Sequence, residues 1–255
     1  KFGAGNNGQY RKPIILVEGL DLDIGGNGDQ GDRIGDRGWP NFISGTSNER
    51  DVNDHILDNL PILINDLNAK GYDLIYLDHE EGSTYMQANA MVLVKLIQDI
   101  NAVKVGNEPL TIVGASMGGQ TTKYALGYME NNNIKHCVNE YIAFDSPHQG
   151  ANMPMSLQKF VDHYAPLKTD ISVLKDKLNS PAAQQLLIAH AAGGYTAASP
   201  LRGSWLADLN AVGVYPKKTR NVSVINGSNN SIQVFSKGSV MMNLDIPSLQ
   251  GCNNY

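Results

Sequence analysis

Apolar and polar positions along the chain follow two alternating rhythms. Short continuous apolar runs bounded by glycine, asparagine or charged residues read as buried strands, and longer stretches with apolar residues three and four apart read as helices. The first run is Pro13-Ile14-Ile15-Leu16-Val17, ending at Glu18-Gly19. A helical stripe follows over 51–70, carried by Val52, Ile56, Leu57, Leu60, Ile64 and Leu67, with Pro61 placed to kink or divide it and Gly71 to end it. The run 72–77 reads as the next strand, and a long helix then extends through Val103, capped by Ser83 or Thr84, with Met91, Val94, Leu96 and Ile97 among its buried residues. A strand over 110–113 meets a helix over 117–129, which stops at three successive asparagines, and 138–144 is a further strand. From 151 to 213 strand patterns vanish, leaving short helical pieces at 156–164, 171–178, 182–192 and 201–209, punctuated by Pro166, Pro181 and Pro200. Strand patterns resume at 221–226, with further strand-like runs at 232–235 and 240–244. Strands alternating with helices predict an α/β fold with a doubly wound, mostly parallel sheet. The expected organisation is a core of 13–150 and 214–255, a helical cap inserted at 151–213, and a flexible lead-in at 1–12.

At 255 residues the chain suits one α/β domain able to bury a full core. A net charge of -5, a pI of about 5.6 and the lack of any lysine or arginine block argue against nucleic-acid and anionic-membrane partners. No uninterrupted apolar run is long enough to span a bilayer. The opening K-F-G-A-G, without methionine, reads as a processed or trimmed product. The low charged fraction and the abundance of Asn, Gly and Ser lean towards a secreted or cell-surface protein. Cys137 and Cys252 are too few for a disulfide framework and lack metal-ligand spacing, so a pair and two thiols both stay open.

The chemistry centres on 110–119, L-T-I-V-G-A-S-M-G-G, which places G-x-S-x-G between a buried strand and a helix. Gly114 and Gly118 leave room for a tight turn, Gly119 lets the helix approach the sheet, and Ser116 is presented as a nucleophile above the carboxyl edge of the strands. Asp145 closes the next strand at the same edge and begins D-S-P-H-Q-G-A. His79, beside Asp78, Glu80 and Glu81, lies at the end of a strand one removed from the elbow strand, and takes a polar supporting or rim role. The loop 21–38 is dense in Asp and Gly. Asp21, Asp23, Asp29 and Asp32, with Gly26 at the turn, partly mimic a calcium loop, but position five is Gly25 and the last ligand is Asp rather than Glu. A solvated loop is the plainer reading. Trp39 and Phe42 either line an acyl pocket or simply pack.

Two motifs in the same order, Gly114-Ala115-Ser116-Met117-Gly118-Gly119 and Ser146-Pro147-His148-Gln149-Gly150-Ala151, resemble the G-H-S-M-G-G and T-P-H-x-G motifs of α/β-hydrolases of the lipase/esterase branch, with Ala115 replacing the usual histidine. The resemblance implies a serine acyl hydrolase acting on small-molecule or lipid esters, without an organic cofactor. It implies an oxyanion hole from the N–H groups of Met117 and Leu20, with Glu18 standing where a His-Gly pair often has its histidine. Met153, Met155, Leu157 and Phe160 then cover an acyl site or form the cap's own core. The family order is Ser, acid, His, with the acid after the strand that follows the cap. That place here reads N-G-S-N-N, so Asp145 is the first candidate acid and Asp245 the second, an unrecognised acid staying open. All six histidines lie at or before His190. Three explanations stand: a chain truncated at Tyr255 with its histidine beyond, a substitute such as His148 or His163, or an inactive relative serving as a binding or scaffold module for a protein partner at the cell exterior. His148 itself is expected as a structural hydrogen-bonder and His190 as a buried or half-buried helix residue; His55 and His136 lack supporting context. An amidase or thioesterase shares the same machinery.

Overall fold

In the computed structural model, which describes residues 1–20, 61–79 and 81–225 apart from the side chain of Asp170, four apolar runs and the exposed, more polar run 220–224 form five parallel strands. These are β1 (Pro13–Val17), β2 (Asp73–Leu77), β3 (Leu110–Ala115), β4 (Val138–Phe144) and β5 (Arg220–Val224), in the order β2-β1-β3-β4-β5. Helices α1 (Pro61–Ala69), α2 (Met86–Val103) and α3 (Met117–Asn131) fill the first three described crossovers. Between β4 and β5 come α4 (Met155–Tyr164), α5 (Thr169–Leu178), α6 (Pro181–Leu186) and α7 (Pro200–Ala211). Lys1–Ile225 is one compact unit that includes this helical insertion. The Asp- and Gly-rich loop over 21–38, Trp39, Phe42, His55, Asp245, Cys252 and the runs at 232–235 and 240–244 lie outside the described residues.

Strand side chains alternate between faces, and a parallel sheet buries both. Ile15 and Val17 therefore join Leu110, Ile112 and Tyr141 against Leu93 and Ile97 of α2 and Leu126 and Met129 of α3. Ile14 and Leu74 meet Ile64 of α1 on the other face, with Leu16 and Val113 beside them. The order reverses between β1, whose chain continues to β2, and β3, whose chain continues to β4. Ligands of open α/β sheets bind in the crevice beyond the strand carboxyl ends at such a reversal.

Three local expectations are corrected. Neither Ser83 nor Thr84 caps α2: its N-cap is Tyr85, without a side-chain bond, and Ser83 Oγ instead donates to Glu81 at 2.6 Å. The Met86 N–H donates to Gln185 Oε1 at 2.9 Å, so the cap comes from α6, about a hundred residues away in sequence and invisible to local pattern. The helix expected over 182–192 stops at Leu186, because Leu187 turns extended and bridges Ala151. His190 then caps a 3₁₀ turn at Ala191–Gly193, its Nδ1 accepting from the Ala192 N–H and its Nε2 donating to Leu178 O at 2.9 Å.

The lead-in at 1–12 is also held rather than loose. Asp73, fully buried at the start of β2, accepts the Gly3 N–H (2.8 Å) and Asn6 Nδ2 (2.7 Å) on Oδ1, and the Arg11 (2.6 Å) and Lys12 (2.9 Å) N–H groups on Oδ2. Burial alone would raise the Asp73 pKa, but these bonds outweigh it and hold the carboxyl below its ordinary value. The stability it contributes is present above the unfolded carboxylate range, near pH ~4, and is lost as pH falls through the lower folded value. Asp73→Ala is expected to lower unfolding free energy at pH 7 by ~3 kcal/mol and the melting temperature by several degrees, with a smaller difference in acid. Thermal melts of both proteins at pH 7 and pH 3 check this.

Candidate active site

β3 delivers Ser116 to the carboxyl edge of the sheet, at the reversal between β1 and β3. Its register pairs Gly114 with Val17 and Ala115 with Phe144, so the chain turns one residue past the sheet edge. Ser116 sits at φ 49° and ψ -119°, a conformation that costs a non-glycine residue ~1–3 kcal/mol and persists only where the surroundings fix it. Those surroundings are backbone packed on backbone. A Cβ on Gly114 would fall on the Gly118 backbone, one on Gly118 would fall on the Val17 and Glu18 carbonyl oxygens, and one on Gly119 would strike the Ser146 side chain. The Ser116 side chain is exposed, and among the described residues no hydrogen bond engages its Oγ.

Ser116 is the N-cap of α3, so the Met117 N–H beside it has no intrahelical acceptor and the helix dipole favours negative charge there. The loop after β1 crosses the serine closely: a Cβ on Gly19 would lie 3.2 Å from Ser116 Cβ and 3.8 Å from Oγ. Leu20 and Met117 share one apolar cluster with Met86 of α2, Leu186 of α6, and Trp205 and Leu209 of α7. The inserted helices α6 and α7 therefore pack against the side chains of the two residues whose N–H groups are expected to form the oxyanion hole.

Asp145 follows β4 as Ser116 follows β3, also at φ 49°. The register Ala115↔Phe144 puts the two side by side at the carboxyl edge, on strands ~4.8 Å apart. Asp145 is exposed, and its N–H donates to Val224 O at 2.7 Å. The S-P-H-Q-G loop clamps the elbow helix. Ser146 Oγ reaches Gly114 O at 3.4 Å, Gln120 Nε2 donates to Pro147 O, and Arg202 of α7 donates to Gln149 O (2.8 Å), Gln185 O (3.0 Å) and Leu186 O (3.1 Å).

No described histidine bonds Ser116. The His148 N–H donates to Ser146 O, but its ring packs on Tyr215 with centroids 5.7 Å apart and its buried Nδ1 has no hydrogen-bond partner, so its structural bond runs through the backbone. Burial, and then the Lys123 charge, push the His148 pKa down to about 4, leaving the ring uncharged at neutral pH. His163 is exposed on α4, edge-on to Tyr164. His136 lies before β4, at the opposite edge, its Nδ1 accepting the Val138 N–H and its pKa lowered by burial against the raising effect of Glu130. His79 is buried at the end of β2, one strand beyond β1, and bonds Glu18, a pairing that the sequence did not disclose. Burial lowers its pKa, while the Asn89 carbonyl and the Asp78 charge favour the protonated ring.

Lys123, on the buried side of α3, is 1% exposed with Nζ 4.7 Å from the Tyr215 ring centroid. Burial, and then Arg202, lower its pKa from 10.5 to about 8. Between those values the unfolded chain binds more protons than the folded one, so this residue makes stability rise with pH from about 8 to beyond 10. Lys123→Met is expected to stabilise the protein at pH 7 by up to ~3 kcal/mol and to flatten that rise, as chemical denaturation at pH 7, 8.5 and 10 would read. Cys137 is half-buried and has no disulfide partner among the described residues. Among the described residues no three His, Cys, Asp or Glu side chains converge as metal ligands, and no helix is long and apolar enough to cross a membrane.

A parallel sheet flanked by helices, with a strand–serine–helix elbow at its reversal point, defines a domain of the α/β-hydrolase type. A family model described as a PGAP1-like alpha/beta domain matches residues 60–210, more than half of the chain, and the chain belongs to that family. Among solved structures it is similar to the mature form of the Bacillus licheniformis lipase BlEst2, with 17% identity and a TM-score of 0.44, covering 84% of this chain and 64% of that one. It is also similar to a fungal esterase of Rhizomucor miehei (12% identity, 87% and 67% covered, TM-score 0.36). A third is brefeldin A esterase, a bacterial homologue of human hormone-sensitive lipase (10%, 87% and 62%, TM-score 0.34). The chain thus spans just under two thirds of the lipase's length. No curated protein matches the sequence.

Proposed function

We propose that the protein is a serine hydrolase of carboxylic esters, with small-molecule or lipid esters as substrates, working outside the cytoplasm. Ser116 Oγ attacks the ester carbonyl. The N–H groups of Met117 and Leu20 hold the tetrahedral oxyanion, the alcohol leaves, and water cleaves the acyl-enzyme. Asp145 orients the base that takes the Oγ proton, and that base lies outside the described residues. The observation that supports this reading best is the exposed, strained Ser116 at the sheet reversal with the Gly19 backbone against it. Such strain is kept where it positions a reacting atom.

The test is a series of p-nitrophenyl esters from acetate to palmitate. Saturable hydrolysis, with a preference along the acyl series, supports the reading. A second reading, a non-catalytic module that binds a protein partner on this fold, is favoured by the lack of a histidine on Ser116 among the described residues. A folded protein without turnover on any ester would turn the conclusion to it.

A further inference from the structure

The loop that crosses Ser116 is braced from behind. Glu18 Oε1 accepts the His79 N–H at 2.6 Å and faces the His79 ring Nδ1 at 3.0 Å, and both side chains are almost wholly buried. The other ring nitrogen, Nε2, faces Asn89 O of α2 at 3.3 Å. Asn89 in turn donates through Nδ2 to Gly82 O at 3.2 Å, holding the chain that leads from β2 into α2. The Glu18 N–H donates to Leu77 O at 3.3 Å. A strut thus runs from α2 through the end of β2 to the residue immediately before Gly19.

On its front side the same residue touches the elbow, since the Glu18 carbonyl oxygen lies where a Cβ on Gly118 would be. Glu18 is therefore fixed by its side chain to His79 and by its backbone to α3.

The geometry points to Glu18 and His79 as a positioning pair: together they set the Leu20 N–H for the oxyanion. This rests on the reading of Ser116 as nucleophile. Neither residue touches the substrate. Misplacing or losing one oxyanion donor costs ~10²-fold in rate, and substrate binding in the ground state is largely untouched.

The experiment compares the full chain with Glu18→Ala, Glu18→Gln and His79→Gln, reading kcat and KM on the best chromogenic ester and amide exchange over 17–20. Glu18→Ala is expected to lower kcat by ~10²-fold at nearly unchanged KM and to speed exchange in the loop. Glu18→Gln, which keeps an acceptor for the His79 N–H, should retain more activity than Glu18→Ala. Folded variants with native kcat and native loop exchange overturn the inference, as does a loss confined to KM. If Glu18→Ala fails to fold, the two glutamine variants decide, by the same kcat-against-KM criterion. A native protein that hydrolyses no ester sinks the Ser116 reading itself, and the positioning role falls with it; the inference alone fails when the native protein turns over and the variants match it.

Discussion

Ser116→Ala is expected to lower ester turnover by at least ~10⁴-fold while leaving the melting temperature within a degree or two of the native value. The two halves of that expectation have separate causes. Without Oγ no acyl-enzyme forms, and the remaining backbone donors supply only the residual rate that binding and oxyanion stabilisation give on their own. The side chain is exposed and its Oγ makes no hydrogen bond among the described residues, so its removal costs the fold little. The unusual backbone at φ 49° is kept by the glycines around it, and alanine inherits the same strain as serine. Initial rates with matched melts test both halves. A variant that keeps native turnover would remove Ser116 from the chemistry. One that unfolds would make the residue a structural part of the turn.

Gly118→Ala carries the largest expected loss of stability, ~3–5 kcal/mol, and with it the activity. The added methyl meets the carbonyl oxygens of Val17 and Glu18, both backbone, and so it cannot be accommodated by turning a side chain aside. Val17 is fixed in register between Leu77 and Gly114, so relief requires α3 to move off β1. That movement carries away Ser116, the Met117 N–H and the contact behind the Gly19 loop together. Gly203 in α7 is the control. It has open space where a Cβ would go, and Gly203→Ala is expected to stabilise by ~0.5–1 kcal/mol through helix propensity. Chemical denaturation of the two variants reads opposite signs. Equal effects would show that the elbow packing is looser than its backbone contacts imply.

What was legible in the sequence follows from the range of the forces involved. The five strands, the elbow and the helical insertion are written in local periodicity, and the pairing of Gly114 with Ser116 and Gly118 is a local steric demand. The side-by-side placement of Ser116 and Asp145 also follows from strand order, since each residue ends one of two neighbouring parallel strands. Features that join distant residues had no local signature. Asp73 gathers four donors from the first twelve residues, turning an expected loose lead-in into a clasped segment. Gln185 of α6 caps α2 from about a hundred residues away in sequence, in place of the expected Ser83 or Thr84. Glu18 and His79 each stand out in the sequence singly, but only the pairing of β1 with β2 brings the carboxylate to the ring. The general base has no such partner signature, and among the described residues the histidines are committed elsewhere by burial, capping or exposure on the inserted helices.

The most direct measurement is the intact mass of the native chain after treatment with a fluorophosphonate, followed by mapping of the labelled peptide. The account predicts a single stoichiometric adduct on Ser116, because only a serine activated by a base and facing oxyanion donors reacts readily with that reagent. A folded chain that gains no mass, or gains it at another residue, would contradict the assignment of Ser116 as the nucleophile.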